Sequence, residues 1–317
     1  MSSKSINIRG GEVVSLMNGI SFVIVNWNGG QVFEECLWSI TSNIKEFGTI
    51  DYEIVVVDNG SKDLDVSKLS QIPRLHLVRN RLNRFFAYGT NQAVHASKGE
   101  CLFILNNDIW FPASSIVPMY REYLKDLSAI YAPRLLNIDG SIQKSIRGLP
   151  TSADLIYSSL SLGKLSARYD HWKCNRFNYS ARQLVEQPMF SLLILSRNTW
   201  DLVGDMDVQF SQYFNDVDWF YRAKLSRVRT FFVPGCSAVH HHGFSVQRHS
   251  FKRVFLSTIG MYRYLTKIGQ YGVIRQVLCV VLVSAICGGR LLASLGKIVK
   301  RLIVLQNSSE QRITISQ

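Results

Sequence analysis

Short apolar runs that end in polar residues are the feature of this sequence that most restricts its fold. Each run is long enough for a strand that is buried on both faces of a sheet, and helix-like segments separate most of the runs. The clearest runs are residues 20–25, 52–57, 75–78 and 101–105. Strands and helices in this order predict an α/β fold, with a mixed, mostly parallel sheet and helices on both faces.

Polar side chains stand at three of these strand exits. Asn26 follows the first run, Asp58 the second, and Asn106, Asn107 and Asp108 the fourth. Asn and Asp are also common turn residues, so a single exit of this kind is equally well explained as a turn. Three exits of a parallel sheet face the same crevice, where carboxylate and amide oxygens can meet a divalent cation and phosphates. The set of three therefore favours a binding site over plain turns.

Composition indicates a globular protein with an unusual C-terminal quarter. The chain has 317 residues, 47% of them hydrophobic and 19% charged, with a net charge of +13. Residues 246–317 hold eleven Lys and Arg against one acid, whereas residues 1–245 are nearly balanced. Six scattered cysteines predict neither a disulfide framework nor a zinc site, which fits a reducing compartment. Residues 1–19 lack the pattern of a signal peptide.

The second half contains two further stretches that could carry chemistry. We predict helices at residues 112–125 and 198–203, strands at 129–136, 189–195 and 230–233, and an excursion over the pocket at 151–179. Asp216 and Asp218 precede a helix-like segment that is rich in aromatic residues. The helix dipole explains one such acid, but a partly desolvated carboxylate would also suit a general base. The histidines from His240 onward could ligate a cation or could lie in a solvated loop.

The order of these motifs resembles that of inverting family 2 glycosyltransferases of the GT-A fold, in particular the bacterial rhamnosyltransferase-like branch. The resemblance covers roughly residues 20–245. It rests on residues 23–28, 55–61, 83–91, 105–108, 207–218 and 239–241 taken together.

The resemblance implies a nucleotide site at the first strands of the sheet. The residues that would hold the base and ribose are Val25, Asn26, Trp27 and Asp58. Asn91 and the loop before it would face the nucleotide.

The resemblance also implies a metal site and a catalytic base. Asn106, Asn107 and Asp108 stand where the family has its metal motif, and Asp108 would be the main ligand of Mg²⁺ or Mn²⁺. His240 would lie at the metal and diphosphate, with His241 as its substitute. Asp216 would deprotonate the acceptor hydroxyl.

Four residues, at three places in the chain, depart from the family pattern. Phe85 stands where the family usually has Gly, Phe190 and Ser191 replace a pair of small residues, and Asn215 replaces a Glu. We expect these changes to affect donor and acceptor identity more than the class of reaction.

The basic C-terminal region suggests attachment to a membrane surface. We divide the chain into an N-terminal extension (1–19), a catalytic domain (20–245) and a basic helical region (246–317). The apolar stretch at 277–286 is short against the about 20 residues needed to span a bilayer, and 291–305 is amphipathic. We expect helices that lie in the plane of the membrane, at the cytoplasmic face of a bacterial inner membrane. The alternative is packing on the catalytic domain or on a second subunit of a homo-oligomer. Nucleic acid is a poor partner, because no binding module accompanies the charge.

The sequence thus predicts transfer of a sugar, with rhamnose as one candidate, from a nucleotide-diphosphate donor to a lipid-linked or oligosaccharide acceptor in cell-surface glycan synthesis. One alternative is a nucleotidyltransferase, although residues 26–30 lack the basic Gly-rich segment that such enzymes carry. Another is a non-catalytic membrane adaptor that keeps a nucleotide-sugar fold.

Overall fold

The computed structural model describes residues 19–48, 50–151, 154, 172–210, 213–241 and 250–268. Its first half alternates strands and helices as the apolar runs predict. The elements are β1 (Ile20–Asn26), α1 (Gly30–Ile44), a 3₁₀ turn (Lys45–Phe47), β2 (Tyr52–Asp58), α2 (Val66–Leu69), β3 (Leu75–Arg79), α3 (Phe85–Ala96) and β4 (Cys101–Asn106).

The second half contains shorter strands and the remaining described helices. The elements are β5 (Ile109–Trp110), α4 (Ile116–Tyr123), β6 (Ile130–Leu136), β7 (Ile146–Arg147), β8 (Gln183–Leu184), β9 (Gln187–Pro188), β10 (Leu192–Ser196), α5 (Arg197–Val203), α6 (Asn215–Leu225), β11 (Thr230–His240) and α7 (Ser250–Ile268).

The described residues form one large sheet and one small one. Strand order in the large sheet is β3-β2-β1-β4-β10-β6-β11-β5, with β8 paired to β11. Strands β3, β2, β1 and β4 are mutually parallel, β10 is antiparallel to both β4 and β6, and β11 is parallel to β6. Strands β6 and β11 therefore run in the same direction as β4, and the carboxyl end of β11 lies at the same edge as that of β4. The mostly parallel sheet is confirmed.

Two apolar cores cover the two faces of this sheet, because successive residues of a buried strand point to opposite sides. Phe22 and Ile24 of β1 pack with α1 and α4, whereas Val23 packs with α3, α5 and α6. The largest buried side chains of the second core are Trp200 and Trp219, which stack with ring centroids 5.3 Å apart. Helices on both faces are thus confirmed.

Several predicted boundaries were wrong, those of β11 and α4 by the most, and the strand predicted at 189–195 begins only at Leu192. Strand β11 does not end at Val233 but continues to His240, and its register with β6 shifts between Val233 and Ser237. Pro234 has no N–H to give to a ladder, so it lies in this irregular stretch. Helix α4 begins at Ile116 and ends at Tyr123, inside the predicted 112–125.

Helix α7 packs on the catalytic part of the chain. Met261, Tyr264 and Leu265 are buried with Phe210, and Phe214 and Val217 of the α6 region pack against them. The sequence left two interpretations of the basic region, attachment to a membrane or packing on the rest of the protein. For α7, its first helix, the contact agrees with packing. Among the described residues, no helix has the length and apolar character needed to cross a membrane. Residues 1–18 of the predicted extension (1–19), residues 152–153 and 155–171 of the predicted excursion (151–179) and the segments at 277–286 and 291–305 lie outside the described residues. The domain boundaries stay a prediction.

Candidate active site

The strand exits predicted to form a crevice lie side by side. In the ladder, Asn26 is paired with Asp58, and Val25 with Asn106. The Asn26 Nδ2 donates to Asp58 Oδ1 at 3.1 Å, and its Oδ1 accepts from Asn107 Nδ2 at 2.8 Å. Hydrogen bonds between side chains therefore join the ends of β1, β2 and β4.

The buried Asp58 carboxylate organises the turn after β2. Its Oδ1 accepts a hydrogen bond from the Ser61 hydroxyl at 2.5 Å, and its Oδ2 accepts from the Ser61 N–H at 3.1 Å. Ser61 Oγ in turn accepts from the N–H of Asn28 at 2.8 Å. Ser61 belongs to the motif at 55–61, but no role was predicted for it, although the spacing of Asp58 and Ser61 is that of a side chain bonding to its own turn.

Three further predicted nucleotide residues have different surroundings. Val25 lies against Gly89 of α3, where a Cβ atom would come within 2.8 Å of Val25 Cγ1, so glycine is needed for this close contact. Trp27 is 41% exposed at the end of β1, so its ring is accessible to a ligand. The Asn91 side chain is bonded at both ends to the backbone of Met206, as donor to its O at 2.8 Å and acceptor from its N–H at 2.9 Å. This side chain fixes the loop before α6, and its nucleotide role stays a prediction.

Phe85 adopts the backbone conformation that the family's glycine would favour. Its φ is +65°, in the left-handed region that costs a residue with a Cβ about 1–2 kcal/mol. Asn83 Oδ1 accepts from the Phe85 N–H at 2.7 Å, and Asn59 Nδ2 donates to the Phe85 carbonyl at 3.1 Å. These hydrogen bonds hold the loop in the glycine-like shape in spite of the substitution.

Asp108 and His240 face each other across the edge formed by β5 and β11. Strand β5 pairs antiparallel with β11, Ile109 opposite His240. The His240 Nε2 lies 3.2 Å from Asp108 Oδ1, and the two side chains are 3% and 14% exposed. Asn106 Nδ2 lies 3.4 Å from the same ring nitrogen and 3.4 Å from Ser191 Oγ. The His240 ring therefore faces Asp108, while His241 donates its backbone N–H to the Asp108 carbonyl at 3.0 Å.

The donor atoms at this edge fit a divalent cation whose remaining ligands come from a substrate. Asp108 Oδ1 is buried and receives no hydrogen bond from any residue that the structure describes. A buried oxygen of this kind is costly unless a donor or cation meets it. No group of three or more His, Cys, Asp or Glu that could hold a metal occurs within the described ranges. Asp108 and His240 alone would leave several positions of a metal for oxygens of a diphosphate and for water.

Asp216 occupies the first turn of α6. The residue is half-buried, and desolvation by the surrounding protein raises the pKa of its carboxyl group. Hydrogen bonds from the Val217 N–H at 2.8 Å and from Gln187 Nε2 at 3.0 Å lower the pKa in part. Asn215, which departs from the family pattern, accepts the Asp216 N–H through its Oδ1 at 2.8 Å. A carboxylate with a raised pKa is the kind of group that removes a proton from a hydroxyl.

A short segment before β10 connects Asp216 to the cation edge. Gln187 at its start bonds Asp216, and Ser191 at its end lies against Asn106. Five residues of chain span at most about 14 Å between their first and last Cα atoms. Phe190 within this segment is buried, with its ring against Phe86, Trp219 and Phe220, so it belongs to the core. Sequence reasoning missed Gln187, because one glutamine carries no pattern.

Comparison with known proteins agrees with the fold. The family model for glycosyl transferase family 2 matches residues 21–180. This chain belongs to that family.

A named relative in Haloferax volcanii, the low-salt glycan biosynthesis hexosyltransferase Agl10, is 21% identical over 231 residues, 72% of this chain and 68% of the relative. Two solved structures share the fold at a TM-score of 0.51 each. One is GalNAc-T7 with UDP, GalNAc and Mn²⁺, at 14% identity over 71% of this chain and 44% of that one. The other is S. aureus TarS, at 13% identity over 83% and 42%. The chain spans less than half of either structure. These findings show a glycosyltransferase of family 2 with the GT-A fold.

Proposed function

We propose that this chain transfers a hexosyl residue from a nucleoside-diphosphate sugar to an acceptor hydroxyl with inversion at the anomeric carbon. The observation that carries the proposal is the pair Asp108 and His240, whose Oδ1 and Nε2 atoms lie 3.2 Å apart where parallel strands end. Ligands of open α/β sheets bind at this edge. The GalNAc-T7 structure contains UDP and Mn²⁺, which supports the same classes of ligand here.

The chain's own residues supply binding and proton transfer. Asn26, Asp58 and Trp27 would form the nucleotide end of the site, with Val25 beside them. A Mg²⁺ or Mn²⁺ ion held by Asp108 and His240, when bound, would neutralise charge on the leaving diphosphate. Asn106 and Asn107 lie next to this pair and would position the diphosphate.

One displacement step accounts for inversion. Asp216 takes the proton of the acceptor hydroxyl while the acceptor oxygen forms a bond to the anomeric carbon. The bond from that carbon to the diphosphate oxygen breaks, and the nucleoside diphosphate leaves with the electron pair. A second carboxylate nucleophile is not required for a single displacement.

The acceptor, donor sugar and location are proposed from the sequence. We propose a lipid-linked or oligosaccharide acceptor in cell-surface glycan synthesis, rhamnose as one candidate donor sugar, and a peripheral position at the cytoplasmic face of the membrane. The excess of positive charge in residues 246–317 supports attachment to an anionic surface. A homo-oligomer is a further arrangement that the basic region could support.

A thermal-shift panel of nucleoside-diphosphate sugars, with and without Mn²⁺, tests this function. We expect one sugar nucleotide to raise the melting temperature in the presence of Mn²⁺, and product analysis to show transfer or slow hydrolysis. Asp216→Asn should abolish transfer and leave that thermal shift nearly intact. Sugar-nucleotide synthesis from a nucleoside triphosphate would indicate a nucleotidyltransferase instead. Binding without any turnover would indicate an adaptor.

A further inference from the structure

We propose that Gln143 is a positioning residue that fixes the tautomer of His240, with the proton on Nδ1 and the lone pair of Nε2 directed toward Asp108. The proposal assigns a role to a side chain that no motif marks. Its consequence for metal binding rests on the proposed function, whereas the tautomer itself does not.

The contact between the two side chains is short and buried. His240 Nδ1 lies 2.7 Å from Gln143 Oε1, and the residues are 3% and 8% exposed. A neutral imidazole carries its proton on one nitrogen, and a partner that can only accept favours the proton on the nitrogen facing it. Asp108 Oδ1 also only accepts and lies 3.2 Å from Nε2, but that contact is longer than the one at Nδ1 and lacks the geometry of a hydrogen bond. The question is therefore which end of the Gln143 amide faces the ring, since oxygen and nitrogen of an amide must be assigned from their hydrogen bonds.

A chain of hydrogen bonds that starts at a carboxylate answers this question. The Ser141 hydroxyl lies 2.6 Å from Asp139 Oδ1, and the Ser141 N–H donates to the same oxygen at 3.0 Å. These hydrogen bonds hold the pKa of the Asp139 carboxyl below its usual value, so this group is ionised at neutral pH. An ionised carboxylate can only accept hydrogen bonds, so the Ser141 hydroxyl must be the donor in its contact with Asp139.

The direction of this first hydrogen bond determines which group donates in each of the next ones. Because the Ser141 hydroxyl donates its hydrogen bond to Asp139, Ser141 Oγ can only accept from Asn137 Nδ2, which lies 2.8 Å away. The Asn137 Oδ1 must then accept from Gln143 Nε2, at 3.1 Å. This leaves Gln143 Oε1 to accept from His240 Nδ1. We call Asp139, Ser141, Asn137 and Gln143 the carboxylate-anchored chain.

The backbone holds the carboxylate-anchored chain in place before any ligand arrives. The Asn137 N–H donates to the Ser141 carbonyl at 2.8 Å, and the Gly140 N–H donates to the Asn137 carbonyl at 2.9 Å. Gly140 has φ +79°, which this tight turn requires. The Gln143 N–H donates to the Leu135 carbonyl at 2.8 Å. Because β6 pairs with β11 in this region, the turn brings Gln143 to His240.

The resulting tautomer suits a metal ligand. Ring nitrogens bind metals through the lone pair, and the opposite N–H of such a histidine usually donates to an oxygen that fixes the ring. In the absence of a metal, this lone pair accepts a hydrogen bond from Asn106 Nδ2, which lies 3.4 Å from Nε2. The long distance makes it a contact that a cation can replace.

The tautomer can be measured in the metal-free protein by two-bond ¹H–¹⁵N correlation NMR on histidine-labelled chain. Spectra at about pH 8.5, well above the usual histidine pKa of about 6.5, would be assigned by comparison with His240→Asn. We expect a protonated Nδ1 and an unprotonated Nε2 in the wild type. Gln143→Leu should give the other tautomer or a mixture, and Gln143→Glu should retain the wild-type pattern. A wild-type Nε2 that carries the proton would overturn the proposal, as would an unchanged tautomer in Gln143→Leu.

Calorimetric titration with Mn²⁺ in the presence of UDP tests the consequence. Removal of such a supporting oxygen typically weakens metal affinity by about 10–100-fold, and we expect this loss for Gln143→Leu. Gln143→Glu should restore most of the affinity, and Gln183→Leu, at a partly exposed glutamine of β8, should not change it. Thermal melts would verify that each variant is folded. A changed tautomer with unchanged Mn²⁺ affinity would support the role of Gln143 and count against His240 as a metal ligand.

Discussion

Gln187 Nε2 donates a hydrogen bond to Asp216 Oδ2 at 3.0 Å, and this contact joins β9 to the first turn of α6. It favours the ionised form of a carboxyl group whose burial favours the neutral form. The two effects oppose each other at the group that we propose as the base. Their balance sets the lowest pH at which transfer can occur.

Gln187→Leu should move the acidic limb of the pH–rate profile to higher pH. A base must be ionised, so activity is present above the pKa of Asp216 and is lost as pH falls through it. Loss of the Gln187 hydrogen bond removes one of the contacts that lower this pKa, and the pKa therefore rises further. The measurement is kcat/KM between about pH 5 and 9, a range wide enough to include a carboxyl group with a raised pKa. Gln183→Leu serves as the matched control, and an unmoved limb in Gln187→Leu would argue that another group titrates.

Asp108→Asn should remove the stabilisation that Mn²⁺ gives in the presence of UDP. A cation at 100 times its dissociation constant stabilises a folded chain by about 2.7 kcal/mol, which a thermal melt resolves easily. The amide keeps the shape of the side chain but loses its charge. Asp65→Asn is the control, since Asp65 caps the short helix α2 and asparagine caps equally well. A full Mn²⁺ shift in Asp108→Asn would exclude this carboxylate as a ligand.

Substitutions of Phe85 should rank by their tolerance of positive φ. Asn adopts the left-handed conformation readily, whereas a β-branched Val is strained there. We expect Phe85→Asn to be more stable than Phe85→Val by about 1 kcal/mol, although Val is the more apolar residue. Urea unfolding would measure the difference. If the Val variant were the more stable, packing of the side chain rather than backbone strain would dominate at this position.

Lys267→Met should loosen the contact between α7 and α6. Lys267 Nζ lies 2.7 Å from Asp218 Oδ1 and 2.9 Å from Asp207 Oδ2, while Arg222 Nε meets the other oxygen of Asp218 at 3.0 Å. Asp218 is fully buried, so loss of one cation is costly, but Lys267 is 38% exposed and water screens the pair. We expect a loss of about 1–2 kcal/mol in the free energy of unfolding.

Lys224→Met is the matched control for this change. Lys224 pairs with Glu186 on the exposed side of α6, at 2.7 Å, and such surface pairs contribute about 0–1 kcal/mol. Equal decreases in the free energy of unfolding of the two lysine variants would mean that the burial of Asp218 does not strengthen its contact with Lys267.

The sequence predicts the N-terminal half of the sheet well because that half is built from local units. Each apolar run carries its own period, and the polar residue that ends it becomes a neighbour of the next exit through parallel pairing alone, as Asn26 and Asp58 show. The contacts made by Gln143 and Gln187 could not be predicted. They depend on pairings between β6, β9 and distant parts of the chain, and a single buried glutamine leaves no periodic pattern.

The pairing of β5 with β11 also determines at what stage of synthesis and folding the site can form. Asp108 is made early in synthesis, but its partner His240 arrives only with the last strand of the sheet. A cation held between them would join two segments that are far apart in the chain and would cross-link the folded state. If the two residues hold a cation as proposed, a nascent or truncated chain that ends before β11 has Asp108 but not the second ligand. Metal-supported transfer would then require the complete sheet.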